Sequence, residues 1–389
     1  MLTHSYYEED PRVRREAEAL VSSGRPVHVF ALRKPSDGPL AELDGVQIRR
    51  VDVQRHQGAG LRTYVSEYLS FLLRAGLALS RAHRRQPYGL VQVHTLPDFL
   101  VFAAIPVRLA GAPVLLDLHE AMPEFFAMRF PRSSGRLTGA LLRTQERLSI
   151  AMASHVLTVN DALAERLVSQ GVPAEKVSVV ANSPSLARFD PSRHRRRRFM
   201  SDGTLRLVYA GAVTPVYELE VAIAAVAELR RQRPSLPVTL DIFGRGDAEE
   251  SLRDCASRLE LDDAVRLHGR IPLDDVPARI AGADIGLAPT RVNAFTALSL
   301  STKIFEYAAM AKPVVASRLP LVEKTFGSAA VTLYASGDPA DLASAIFGLV
   351  DDPRARRARA ARATRAVQQL AWERVSGRFV ALVDRLARG

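Results

Sequence analysis

Ser299–Ser317 reads SLSTKIFEYAAMAKPVVAS, an order of residue types that predicts a helix, a stop at Lys312-Pro313 and a buried strand beginning at Val314. Ile304, Phe305, Ala308 and Ala309 supply the helix with a buried side. Ser299 or Ser301 can cap its amino end. Thr302 follows there, and unpaired backbone N–H groups facing outward make a natural seat for a phosphate. Lys303 and Glu306 lie three apart and project from one face. A cation for phosphate beside a carboxylate that can accept two hydroxyl hydrogen bonds suits a nucleotide-sugar. The plainer alternative is a surface helix with a solvated Lys–Glu pair, and the flanking sequence decides between them.

The surrounding chain alternates short apolar runs with helical segments, the pattern of parallel sheets covered on both faces. Asp10-Pro11 followed by Val13, Ala17 and Leu20 predicts a first helix ending at Gly24. Strands are expected at Val27–Leu32, Gly89–His94, Pro113–Leu118, His155–Val159 and Val177–Val180. A second half repeats the grammar at Leu205–Tyr209, Val238–Phe243, Ala264–Leu267, Ile285–Ala288, Val314–Ala316 and Ala330–Leu333. Pro, Ser and an arginine run displace the periodicity near residues 190–203. The expected fold class is α/β: two Rossmann-like doubly wound domains, residues 1–190 and 200–372. Only Met1-Leu2-Thr3 precede the loop His4–Glu9, so the opening strand is either extremely short or begins upstream of this sequence.

Within 389 residues, a hydrophobic content of 47% suffices for two cores without a metal or disulfide staple. The single cysteine, Cys255, lies in a helical pattern beside Leu252 and Leu259. It excludes an intramolecular disulfide and a zinc-finger cluster and fits a reducing compartment. A net charge of +11 invites a nucleic-acid reading. Against it, lysine occurs only at 34, 176, 303, 312 and 324, and the arginine excess is what GC-rich coding produces. The one dense run, Arg193–Arg198 (RHRRRR), lacks the interleaved aromatics of a single-strand binder. It reads as a solvated linker or, functionally, as a site for an anionic partner. No nucleic acid is expected as a partner.

No stretch reaches the roughly 20 apolar residues of a spanning helix, and no signal peptide precedes the first periodic segment. The expectation is a cytoplasmic protein, soluble or peripheral at the inner face of the membrane. Leu61–Arg85 sets Tyr64, Tyr68, Leu69, Phe71, Leu72 and Leu77 beside Arg62, Arg74, Arg81 and Arg84. It reads either as an interfacial helix on anionic membrane, gripping a lipid-linked acceptor, or as a two-sided helix packed under the first domain.

Polar groups cluster where strands end. Asp117-x-His119-Glu120, with Glu124 beyond, follows an apolar strand, and His94 ends another. Open α/β folds bind ligands at that carboxyl edge. Gly211-Ala212-Val213-Thr214 follows Leu205–Tyr209 and can offer N–H groups to a diphosphate; Gly244-Arg245-Gly246 is the analogous turn. Arg245 would stack on a base or face water. Arg291, after Ala288-Pro289-Thr290, is a further cation.

Taken with SLSTKIFEYAAMAKPVVAS, the blocks SYYEEDPRVRREAEALVSSG, DLHEAMPEFF, VLTVNDALAERLVSQGV, LRLVYAGAVTPVYELEVAIAAVAEL, LDIFGRGDAEESL and VRLHGRIPLDDVPARIAGADIGLAP resemble the family 4 retaining glycosyltransferases of GT-B architecture. The resemblance runs in family order over nearly the whole chain. It implies two Rossmann-like domains facing across a cleft, with a terminal helix, residues 373–389, packing back on the first. It implies a nucleoside diphosphate sugar donor, no metal and no other cofactor, with Glu306 holding the ribose and His119 contacting the transferred sugar. His94, Glu120 and Glu124 fall on the acceptor side. The expected acceptor is a glycan precursor, a lipid-linked glycan or a small secondary metabolite.

Two departures from the family pattern stand out. The family's phosphate-clamping arginine and lysine fall here among Ala212, Val213, Val216 and Tyr217, and the first glutamate of its Glu-x7-Glu pair falls on Leu298. Lys303, aided by the helix dipole and by Arg291, is the expected replacement. The resemblance implies retention by front-face attack, the leaving phosphate taking the acceptor proton. A GT-B binding partner without catalysis is the alternative that the missing ligands suggest, and a basic nucleic-acid-binding protein is the more remote one.

Overall fold

The computed structural model describes residues 1–56, 60–195 and 197–388. Arg196 of the basic run and Gly389 of the expected terminal helix lie outside the described residues. The chain divides into two compact units, Met1–Asn182 with the segment from Glu373 on, and Ser183–Trp372.

The first unit carries β1 (His28–Leu32), β2 (Leu40–Leu43), β3 (Val46–Val51), β4 (Val91–His94), β5 (Val114–Leu118), β6 (His155–Thr158) and β7 (Val177–Val179). Sheet order is β2-β3-β1 on one side and β4-β5-β6-β7 on the other. Leu2 joins them, pairing in parallel with Phe30 of β1 and Val93 of β4. Its N–H donates to Gln92 O at 2.8 Å and its carbonyl accepts from His94 N at 2.9 Å. An isolated bridge at Leu2 thus stands where the opening strand is expected. With it as the first strand, the order is that of a doubly wound sheet, whose direction of winding reverses between Leu2 and β4. Every pairing is parallel except β2 with β3.

That hairpin was not among the expected strands. Its signal is Asp44-Gly45, whose φ values of 52° and 75° make the tight turn that joins twisted strands. The first helix, Pro11–Ser22, is capped by Asp10, whose Oδ1 accepts from Arg12 N at 3.2 Å and Val13 N at 3.3 Å. Such a cap contributes about 1 kcal/mol.

The helix Leu61–Arg85 buries Glu67, Phe71, Ala75, Leu79 and Ala82. A second apolar row, Val65, Leu69, Leu73 and Leu77, stays outside at 46–63% exposure. The packed-helix reading thus accounts for one face only. The terminal helix Trp372–Arg388 belongs to this unit from Glu373 on, and Arg25 Nε donates to Asp384 at 2.6 Å.

In the second unit β8 (Leu205–Ala210), β9 (Val238–Phe243), β10 (Val265–Gly269), β11 (Ile285–Ala288), β12 (Val314–Ser317) and β13 (Thr332–Tyr334) form one parallel sheet of order β10-β9-β8-β11-β12-β13. Its winding reverses between β8 and β11. The segment after Ser183 belongs here rather than near the 190–203 boundary read from composition, because Phe189 is buried against Val208 and Ala288 and Arg188 pairs with Asp274 at 3.2 Å. The arginine run is partly neutralised in place: Arg193 lies 3.6 Å from Asp190 and Arg197 2.7 Å from Asp202. Cys255 packs half-buried against the core beside Leu252. No helix among the described residues is long and apolar enough to cross a membrane.

Candidate active site

Each sheet reverses its winding once, and each reversal gathers one group of the expected residues. In the second unit the loops after β8 and β9 pack backbone to backbone. A Cβ on Gly244 would lie 1.7 Å from Gly211 O, and one on Gly246 2.0 Å from Val213 O. Glycine is therefore required at 244 and 246. Gly211 N donates to Phe243 O at 2.9 Å and Val213 N to Arg245 O at 3.1 Å, so these two N–H groups are already used. The N–H groups of Ala212 and Thr214 make no hydrogen bond among the described residues.

The helix Thr302–Ala309 begins beside this turn. Lys303 does not point into solvent as a surface pair would. It is 6% exposed, and its side chain lies along Gly211, where a Cβ would meet Lys303 Cε at 2.1 Å and Nζ at 2.7 Å. Its ammonium stands 3.6 Å from the Tyr217 ring centroid and 5.0 Å from that of Tyr209. No carboxylate among the described residues pairs with it. Glu306 is half-buried one turn on, along the same helix.

The serines depart from expectation. Ser301 occupies the N-cap position, but no side chain caps the helix. Its Oγ is buried without a partner among the described residues, while Ser299 Oγ donates to Phe295 O at 3.2 Å. The Thr302 and Lys303 N–H groups thus remain open at the amino end. Arg291 is bound to the same turn: its N–H donates to Val216 O at 2.8 Å and its guanidinium reaches Glu220 at 2.5 Å. Arg245 faces water at 69% side-chain exposure.

Sequence reasoning overlooked Glu218. Buried at the start of the helix Leu219–Gln232, it accepts from Tyr334 Oη at 2.9 Å, Ser317 Oγ at 3.2 Å and Ser336 Oγ at 2.9 Å. Ser317 Oγ in turn accepts from Thr290 N at 2.7 Å, so one carboxylate fastens the ends of β11, β12 and β13.

The first unit's reversal point is chemically different. His94 Nδ1 and His119 Nε2 both approach Asp117 Oδ2, at 2.9 Å and 3.2 Å, and lie 3.4 Å from each other. All three residues are buried. Burial alone would push the Asp117 carboxyl up, but the bonds and charges of His119 and His94 prevail and hold it below the usual carboxylate range. A carboxylate only accepts, so both facing ring nitrogens carry hydrogens. His119 Nδ1 and His94 Nε2 are buried with no hydrogen-bond partner among the described residues. Burial first, and then the Arg12 guanidinium, lowers the His119 pKa to about 4, so the ring is neutral at physiological pH.

Gln92 Nε2 donates to Asp117 at 3.2 Å and to Glu16 at 2.6 Å, and burial with the Asp117 charge pushes Glu16 well up. Glu120 is half-buried and raised by burial, opposed by Arg12. Glu124 has a different assignment: both its oxygens accept from Arg166, at 2.9 Å and 2.8 Å, and Arg166 also holds Glu146. Arg12 was missed in the sequence, although it stands in the first block of the family resemblance. The His94–Asp117–His119 group is also of metal-ligand type, for its ligand atoms lie within 4.8 Å of one another. Direct imidazole–carboxylate bonds join the three into a hydrogen-bonded triad, with the Arg12 cation nearby.

Residues 10–183 match the family described as glycosyl transferase 4-like domain, and residues 204–352 the glycosyl transferases group 1. The chain belongs to the GT4-like glycosyltransferases of GT-B architecture and is an enzyme of glycosyl transfer. It is 25% identical to the D-inositol 3-phosphate glycosyltransferase of Pseudarthrobacter chlorophenolicus, over 96% of this chain and 90% of that one. Its fold is similar to sucrose-phosphate synthase of Thermosynechococcus elongatus, with a TM-score of 0.76 at 18% identity over 96% and 92% of the two chains. It is also similar to HepE of Anabaena in complex with UDP and glucose, with a TM-score of 0.72 at 17% identity over 98% of each.

Proposed function

We propose that this glycosyltransferase binds a nucleoside diphosphate sugar in its second unit and transfers the sugar, with retention, to a hydroxyl of a lipid-linked glycan precursor at a membrane surface. One observation carries the donor half. A buried ammonium, Lys303 Nζ, has no carboxylate partner among the described residues and lies against the Gly211 turn where the sheet reverses its winding. The N–H groups of Ala212 and Thr214 on that turn, and of Thr302 and Lys303 at the start of the adjoining helix, make no hydrogen bond among the described residues.

As the anomeric bond breaks, negative charge grows on the leaving diphosphate, and fixed donors there stabilise it without reorganising. Glu306 accepts the ribose hydroxyls. Front-face attack lets the departing phosphate oxygen take the acceptor proton, so the chain need supply no general base. The unpartnered Nδ1 of neutral His119 is an acceptor for a sugar hydroxyl.

UDP-glucose is the first donor to test, because HepE is bound to UDP and glucose. A thermal-shift panel of UDP, GDP, ADP and TDP sugars identifies the donor. Lys303→Met and Glu306→Ala are each expected to weaken it by about tenfold or more. Unchanged affinity in both variants would remove the site. Donor binding with neither transfer nor hydrolysis would return the reading of a binding partner without catalysis.

The acceptor half rests on the outer apolar row. Nine of the thirteen exposed large hydrophobics among the described residues fall between residues 65 and 148: Val65, Leu69, Leu73 and Leu77, then Ile105 and Leu109, then Leu137, Leu141 and Leu148. The first four form one row at a spacing of four on the helix Leu61–Arg85, and an exposed apolar row of this kind marks an interaction surface. Arg62, Arg81, Arg84 and Arg85 on the same long helix pair with no carboxylate among the described residues, which suits anionic lipid. Flotation with phosphatidylglycerol vesicles at low salt is expected to carry the protein, and Leu69→Asp with Leu73→Asp to abolish this. Wild-type protein left in the pellet fraction would favour a soluble small-molecule acceptor.

A further inference from the structure

A buried charge normally requires an opposite charge, because desolvation costs several kcal/mol. Lys303 is buried and has no such partner among the described residues, and its ammonium faces the rings of Tyr217 at 3.6 Å and Tyr209 at 5.0 Å. A carboxylate in that place would hold the ammonium and also cancel its field. An aromatic face holds it by quadrupole attraction and leaves its net charge intact. Tyr217 is half-buried on the turn that begins at Gly211, and its ring is tilted 57° to that of Tyr209, with centroids 6.0 Å apart. It also stands among the positions where the family pattern has its second phosphate cation.

Resting on the donor reading above, we infer that Tyr217 is a positioning residue. Its ring cradles the Lys303 ammonium at the Gly211 turn, so that one uncancelled cation serves the donor diphosphate in place of the missing pair. Tyr209, fully buried, backs the cradle from beneath. The ring face is what matters, so the Tyr217 hydroxyl is dispensable and its aromaticity is not. This distinguishes the role from ordinary packing, for which a leucine would largely serve.

The test is calorimetric binding of UDP and of uridine to wild type, Tyr217→Phe, Tyr217→Leu and Lys303→Met, with GDP/guanosine and ADP/adenosine pairs run alongside. Uridine lacks phosphates and reports an intact site; the UDP-to-uridine affinity ratio reports the ammonium. Lys303→Met is expected to collapse the ratio by about tenfold or more. Tyr217→Leu is expected to lower it by roughly 3- to 30-fold with uridine affinity kept, and Tyr217→Phe to restore it.

If Lys303→Met collapses the ratio and Tyr217→Leu does not, the cradle is wrong and the donor site stands. If Tyr217→Phe falls as far as Tyr217→Leu, the hydroxyl and not the ring is responsible, and the cradle is again wrong. An unchanged ratio in Lys303→Met, or no binding of any diphosphate to wild type, removes the donor site and the cradle together.

Discussion

The two units wind their sheets alike and build unlike chemistry where the winding reverses. In the second unit the reversal point is made of backbone: glycines 211, 244 and 246 have no room for a Cβ, and a single ammonium is laid across the first of them. In the first unit it is made of interlocked side chains, with His94, Asp117, His119, Gln92 and Glu16 sharing hydrogens out of reach of water. The first arrangement is governed by space, the second by protons. Topology selects where a ligand edge forms, and local residue choice decides what property tunes it.

If that contrast is right, the two edges fail in different ways. The largest effect is expected from Gly211→Ala, whose added methyl would displace the Lys303 side chain and cost at least about 100-fold in kcat/KM. Donor affinity measured by calorimetry should fall with it, and activity should be nearly independent of pH between 6 and 8. Retained affinity in that variant would break the comparison on the second-unit side.

Next, Asp117→Asn removes the acceptor that fixes both imidazoles, and kcat is expected to fall roughly tenfold. UDP affinity should be unchanged, because that edge belongs to the other unit. The smallest effect is one of pH. The His119 pKa of about 4 lies below its ordinary 6.5, so the unfolded chain takes the proton first. Its contribution to stability is complete above pH 6.5 and is lost as pH falls toward 4. Wild type should therefore lose about 3 kcal/mol more than His119→Gln between pH 7 and 4 in urea titrations. Equal slopes for the two proteins would show that the ring is not held neutral.

Much of this was legible in the sequence. Apolar runs such as Val114–Leu118 are buried on both faces and read as parallel strands without context, and Asp10-Pro11 announced its helix. The helix Thr302–Ala309 was read from its Lys-Pro stop and its apolar side. Three things were not legible. The Leu2 bridge is too short for any periodicity, and it exists only because β1 and β4 flank it. Glu218 carries no motif, and its role comes from three strand ends converging on it. Burial of Lys303 depends on the absence of a side chain at Gly211, a relation between positions 92 apart in sequence. The Asp44-Gly45 turn, by contrast, was a readable hairpin signal that an α/β expectation passed over.

The glycine turns carry one more consequence. Gly244 and Gly246 are immovable, yet Arg245 between them has its side chain out in water. A rigid bracket with a single interchangeable tooth is a convenient handle for engineering. Saturating position 245 alone would sample many chemistries beside the proposed nucleotide site without loosening the frame, whereas a library that also varied its two neighbours would consist mostly of misfolded clones.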